Sequence, residues 1–364
     1  MALIVDSVTS WFYFLVLVFV LGVIFSKWTL FSRINQDEVF LDEFIDRVLP
    51  RLAIRGLVLL TLSMLLLFLN QLTAFRDIFV PWTTDAWLLL RHTSWGFLWV
   101  ASLAVYALAL VVLNLRGMSG WSFATVCILL GAMFPAFSGH ASAVEGLSWL
   151  SLSADVLHVW SAGGWLGSLA CLIIINRYWQ RRNSERKSLI PIFISRFSSY
   201  SMVWAPMLVI SGVVSTSIHL SGVGDLLYSD YGRVLFLKII LAVIVMGLGL
   251  LNSINVRMGF HESGDIGRLK SNITKEIWIA QIVLLLTAIL IQGSPPGHQD
   301  AEHHLSIEMF LVRMVGIGMF FYVIAFTLIL LFAIYLLKGS KSGLDKVCSS
   351  IKSGPRRCRS DIAE

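Results

Sequence analysis

Charge is what this sequence has least of. Asp, Glu, Lys and Arg make up 14% of its 364 residues, against 57% hydrophobic. Soluble domains carry about 25% charged residues, so this composition excludes a water-soluble globule and a soluble catalytic domain. Paired cysteines are missing as well. The four present (Cys127, Cys171, Cys348 and Cys358) follow no metal or disulfide spacing, which excludes a disulfide framework or a zinc ribbon. No positive charge precedes the first apolar run in MALIVDSVTSW, and Lys27 follows it. That order is the reverse of a secretory signal peptide, so the first run is expected to be retained as a helix.

What the chain has is apolar length. Nine segments (8–25, 52–72, 86–113, 121–138, 152–175, 197–220, 233–256, 273–292 and 309–337) are candidate spans, since about 20 apolar residues cross a bilayer as a helix. The expected fold is all-α: a polytopic transmembrane helical bundle of about nine spans.

Lys and Arg concentrate in alternate connections. Lys27, Arg33, Arg47 and Arg51 lie in the first, Arg116 in the third, six cations from Arg177 to Arg196 in the fifth, and Arg257, Arg268, Lys270 and Lys275 in the seventh. The intervening connections hold only Arg76, apart from Arg91 and Arg233 near helix starts. Basic connections stay cytoplasmic, which predicts an N-terminus outside and a C-terminus in the cytoplasm. The net charge of +6 therefore reports orientation and gives no nucleic-acid signal. Residues 35–49 alternate acidic and apolar side chains and are expected to form a short surface helix. The basic tail, 338–364, suits an anionic lipid surface.

Residues 137–167, FSGHASAVEGLSWLSLSADVLHVWSAGGWLG, contain His140 and His158 but no Lys or Arg. With apolar runs on both sides, they read as the connection between two spans at the non-cytoplasmic face. His92, His219, His298, His303 and His304 fall on that same face, and of the eight histidines only His261 does not. Neutral imidazole is the commonest protein metal ligand. Histidine also tolerates membrane interfaces, where it hydrogen-bonds without any metal.

Met133 lies seven residues before His140, two turns deeper on nearly the same face. Thioether selects Cu(I), although methionine is also ordinary core filler. His298, His303 and His304, with Asp300 and Glu302, give the loop 293–305 the composition of a metal-capture arm or of a plain polar connection. Asp155 and His158 share a helix face, so the carboxylate is placed to orient a metal-bound ring, and Trp165 lies further along that face. Gly163 and Gly167 have GxxxG spacing, which admits a neighbouring helix.

Charges within spans are costly and usually line a cavity or pair up. Lys238 and Glu276 are two such residues, and Arg55 lies at the same expected depth as Glu276, as for an ion pair.

Several motifs recur in a recognisable order: TSWGFLW at Thr93–Trp99, GHA at Gly139–Ala141, LHVWSAGGWLGSL at Leu157–Leu169, RFS at Arg196–Ser198 and SG at Ser211–Gly212. They are followed by YGRVLFLK at Tyr231–Lys238, LNSINV at Leu251–Val256 and KEIWIAQIVLLLTAILIQGSPP ending at Pro296. Together they resemble the copper resistance D (CopD) family of inner-membrane copper transport proteins, strongly over 131–296 and more loosely before it. The resemblance implies a multi-pass protein of the bacterial inner membrane that moves copper, as Cu+ or Cu2+, from periplasm to cytoplasm. It also implies a periplasmic copper-binding partner of the CopC type. Carried over by position, its motifs point to His140, His158, Tyr231, Lys238 and Glu276.

The chain then divides into N-terminal transmembrane helices (1–130), a CopD-like core (131–296), an outer His-rich loop with a ninth helix (297–337) and a basic tail (338–364). The expected metal residues are His140, His158, His219, His92, Met133, His298, His303 and His304, supported by Asp155, Trp165, Lys238 and Glu276. No enzymatic activity is expected of a copper carrier. Two other readings of the same histidines are a haem-b-binding membrane oxidoreductase, with histidines of separate helices as axial ligands, and an assembly factor that delivers copper to another enzyme.

Overall fold

Inside a bilayer a single segment can satisfy its own backbone N–H and C=O groups only as a helix, and the structure follows that rule. The computed structural model describes residues 2–32, 39–114, 118–138, 147–182, 188–220, 222–258 and 263–293, and among them there is no strand. In chain order the helices are α1 (Ala2–Trp28), α2 (Val39–Phe75), α3 (Trp82–His92), α4 (Ser94–Leu113), α5 (Met118–Gly131), α6 (Phe134–Ser138) and α7 (Ser148–Ala162). A five-residue π-turn, Gly163–Gly167, joins α7 to α8 (Ser168–Arg182). Then come α9 (Ile190–His219), α10 (Asp225–Tyr228), α11 (Asp230–Met258) and α12 (Ser263–Gln292).

Eight stretches are long and apolar enough to cross a membrane: Leu3–Trp28, Leu41–Phe75, Ser94–Leu113, Gly120–Ser138, Ser148–Arg181, Ile190–His219, Asp230–Val256 and Gly267–Gln292. They correspond to the first eight predicted spans. The ninth (309–337), most of the outer loop and the basic tail lie outside the described residues. The long helices alternate in direction, so His92, His158 and His219 fall toward one end of the bundle. Lys27, Arg47 and Arg196 fall toward the other. These are called below the histidine end and the basic end.

Two elements differ from expectation. The predicted third span, 86–113, is broken at Thr93, which is extended (φ −117°, ψ 146°) and whose hydroxyl accepts from the Gly96 N–H at 2.9 Å. This is a side-chain N-cap for α4. Gly96 packs so tightly on the end of α3 that a Cβ there would stand 2.1 Å from the Leu89 carbonyl oxygen. The span therefore starts at Ser94, and 86–92 belong to a separate short helix. The surface helix expected over 35–49 is likewise not separate. From Val39 it runs unbroken into the second span, with Pro50 inside the helix; 35–38 lie outside the described residues.

The core is organised around α1. Leu17, Val20, Leu21, Val23 and Ile24 are completely buried, because α1 packs against α2, the π-turn, α8 and α12. The closest approach uses glycine on both sides. A Cβ on Gly22 would lie 1.9 Å from the Gly167 carbonyl carbon, and one on Gly167 would lie 2.0 Å from the Val18 carbonyl oxygen. Gly163 meets Leu21 in the same way, so the neighbour admitted by the GxxxG spacing is α1. At the basic end, Asn176 Oδ1 accepts from the Leu189 N–H at 2.8 Å and from Ser188 at 3.0 Å. This ties the last turns of α8 to the start of α9.

Candidate metal centre

The histidine half of the bundle contains a polar ladder between antiparallel helices. On α7, Asp155 and His158 are three residues apart; on α9, Ser211 and Ser215 are four apart. Both spacings bring side chains onto one face, and α7 packs along α9. The rungs match. Ser215 donates to Asp155 Oδ1 at 3.0 Å, and Ser211 Oγ lies 3.2 Å from His158 Nδ1. Gly212 clears the space beside the ring: a Cβ there would stand 3.3 Å from His158 Cε1.

Ser211 Oγ also stands 2.7 Å from the Met207 carbonyl and 3.1 Å from the Leu208 carbonyl of its own helix. Its hydroxyl can accept from Nδ1–H while donating along α9, or donate to an unprotonated Nδ1. In the first arrangement the neutral ring carries its lone pair on Nε2, the form in which histidine ligates a metal with its other nitrogen held by a hydrogen bond.

A third helix completes the surroundings. Lys238 of α11 is near enough to act electrostatically on both His158 and Asp155, and Tyr231 is near enough to feel Asp155. The carboxylate was expected to orient the ring; Ser211 stands at His158 Nδ1, and Asp155 accepts from Ser215.

Trp165 lies seven residues after His158, about 10 Å further along the helix, and is buried in the π-turn. A Cβ on Gly249 of α11 would be 3.0 Å from Trp165 Cζ2 and 3.2 Å from Glu276 Oε1. Trp165 and Glu276 thus border the same glycine gap. The ion pair expected between Arg55 and Glu276 does not form. Arg55 donates to the Tyr178 hydroxyl at 3.3 Å, and Glu276 Oε2 accepts from Asn252 Nδ2 at 3.2 Å. The two bind partners on different helices.

Residues 191–290 match the family model of CopD, copper resistance protein D. This chain carries a CopD-family region. It is 28% identical over 224 residues to copper resistance protein D of Pseudomonas syringae pv. tomato, covering 57% of this chain and 71% of that protein. It is 26% identical over 220 residues to copper transport protein CutJ of Bacillus subtilis (strain 168), covering 58% of this chain and 39% of CutJ. No solved structure matches the chain.

The CopD region contributes Ser211, Ser215, Tyr231, Lys238, Asn252 and Glu276, while Asp155 and His158 precede it. The other predicted metal residues are more scattered. His219 is the buried last residue of α9, eight residues or about 12 Å along the helix from Ser211. His92 is exposed at the end of α3, and Met133 is half-buried in the turn between α5 and α6. Among the described residues no three His, Cys, Asp or Glu side chains converge as a metal site. His140, His298, His303 and His304 lie outside the described residues. Ser211 and Asn252 entered the sequence reading only as parts of the SG and LNSINV motifs, without a site role, and Ser215 did not enter it. The available signal was the match between serines at i, i+4 and an Asp–His pair at i, i+3.

Proposed function

We propose that this protein handles copper as cargo, carrying it across the bacterial inner membrane from periplasm to cytoplasm, with His158 as the first fixed ligand. The observation that carries this reading is the His158–Ser211 contact at 3.2 Å, which holds one ring nitrogen; the other is the donor we assign to copper. Imidazole suits copper in either oxidation state, and Met133, nearby in sequence to His140, adds a thioether that favours Cu(I). One histidine is not a complete copper site. We assign the remaining donors to His140 and, at the histidine end, His219 and His92, with His298, His303 and His304 as a capture arm and Trp165 and Lys238 in support. The relatives are named for copper transport and copper resistance, not for an enzymatic reaction. A CopC-type periplasmic partner would deliver the ion, and the positive-inside pattern sets the direction in which the histidine end faces.

The test is copper entry into proteoliposomes that contain a metal-sensitive dye. Wild-type protein is expected to admit copper, and the pair His140→Ala and His158→Ala to abolish entry. Entry at the wild-type rate in the double variant would remove the site assignment. A Soret band in the purified protein would instead support the haem reading.

A further inference from the structure

Glu276 is a carboxyl group inside a membrane span, and among the described residues no cation pairs with it. It is 2% exposed, within the span Gly267–Gln292. Among the described residues the ion pairs are Lys27–Asp46, Arg47–Glu43, Arg76–Asp85 and Arg233–Asp230, and none involves it. Several cations of the surrounding elements have other partners or lie elsewhere. On α1, Lys27 is held by Asp46. On α2, Arg55 binds Tyr178 of α8, and on α9, Arg196 donates to the Leu30 carbonyl. On α11, Lys238 is 14 residues from Asn252, about 21 Å along the helix. On α12 itself, Arg268 and Lys275 are exposed and Lys270 is half-exposed. An ionised carboxylate left so would bear a desolvation cost of several kcal/mol.

Its neighbour is suited to another state. Asn252 Nδ2 lies 3.2 Å from Glu276 Oε2, while Glu276 Oε1 and Asn252 Oδ1 are both buried without a hydrogen-bond partner. A carboxamide can meet a carboxyl group in two ways. Its NH2 donates to the carboxylate, and, after half a turn about the last side-chain bond, its oxygen accepts the O–H of the neutral acid. The same pair of side chains therefore serves both protonation states without moving a helix. Glu276 Oε1 and Trp165 Cζ2 both border the Cβ position of Gly249, at 3.2 and 3.0 Å, and Trp165 follows His158 by seven residues.

We propose that Glu276 and Asn252 form an intramembrane proton-binding site, which takes up and releases a proton as a cation passes along the His158–Trp165 side of the bundle. The ligand is the proton itself. Carboxylate and carboxamide oxygens are hard donors that suit neither copper(I) nor a thioether path. The coupling to cation movement rests on the copper reading above, whereas the proton site does not.

The two parts are tested separately on the full-length protein in lipid vesicles. Dicyclohexylcarbodiimide, an apolar reagent, modifies buried carboxyl groups only when they are protonated. Peptide mass spectrometry after labelling is expected to find the adduct on Glu276, to see it lost as pH is raised, and to see none at this position in Glu276→Gln. No adduct at Glu276, or an adduct unaffected by pH, overturns the proton site. Protection by sodium ions at constant pH, which would mark an alkali-cation site, also overturns it. In the second arm, copper is added to vesicles holding a pH-sensitive dye. Wild type is expected to move protons with copper, and Glu276→Gln to move none. Copper-driven proton movement by Glu276→Gln at the wild-type rate overturns the coupling. A wild type that moves no copper sinks the transport reading and leaves the labelling result standing.

Discussion

Ser211 Oγ meets His158 Nδ1 across 3.2 Å while standing 2.7 Å from the Met207 carbonyl of its own helix. That contact makes the serine a positioning residue for the ring. Ser211→Ala is expected to weaken copper binding by about 10–100-fold, the usual cost of losing the partner of a metal-bound histidine. Ser211→Thr, which keeps the hydroxyl, is expected to retain most of the affinity. Copper titration of the purified protein in detergent measures both. Equal binding by wild type and the alanine variant would show that Ser211 does not orient the ring.

The crossing of α1 over the π-turn predicts a contrast between glycines. Gly167→Ala puts a methyl group 2.0 Å from a backbone oxygen of Val18, so the two helices must separate. A loss of about 1–3 kcal/mol, as for other overpacked sites, is the least expected. Gly247, inside α11, has nothing within 4 Å of its Cβ position. There Gly→Ala is expected to be neutral, or to gain up to about 1 kcal/mol from helix propensity. Thermal unfolding in detergent compares them directly. Equal melting temperatures for the two variants would contradict the packing described for α1.

Arg76 and Asp85 give an asymmetric prediction. Arg76 donates to Asp85 and to the Asp77 and Val80 carbonyls, and its guanidinium stacks over Trp82 at 4.7 Å. Asp85 is 2% exposed, whereas the arginine side chain keeps 21% of its surface. Removing the arginine strands a buried carboxylate, and removing the carboxylate leaves a cation that can still reach water. Arg76→Ala is therefore expected to cost about 3 kcal/mol, and Asp85→Ala clearly less. The same unfolding assay reads both, and a larger loss for Asp85→Ala would reverse the assignment of the buried partner.

The first eight spans were legible in the amino acids; rotation about each helix axis was not. Arg55 and Glu276 were expected to pair, yet they bind Tyr178 and Asn252 because their helices turn them toward other neighbours. The break at Thr93 went unseen for a related reason. An apolar run does not record where a backbone leaves the helix, although Thr93 and Gly96 are the residue types that a capped, closely packed start needs. Asp155 and His158 were readable as one face, since that needs only helical spacing. Their serine partners belong to a different helix, and pairing across helices depends on packing that no local pattern contains.

The π-turn at Gly163–Gly167 also sets a phase. A π-turn accommodates one residue more than α geometry would, and each residue of an α-helix advances its face by about 100°. Deleting a single residue there would restore regular winding and rotate α7 by about that angle against α8. Asp155 and His158 would swing off the serine ladder of α9 with no change in their own chemistry. In this bundle the bearing of the histidine is stored in the length of a glycine-rich segment more than a turn away from it.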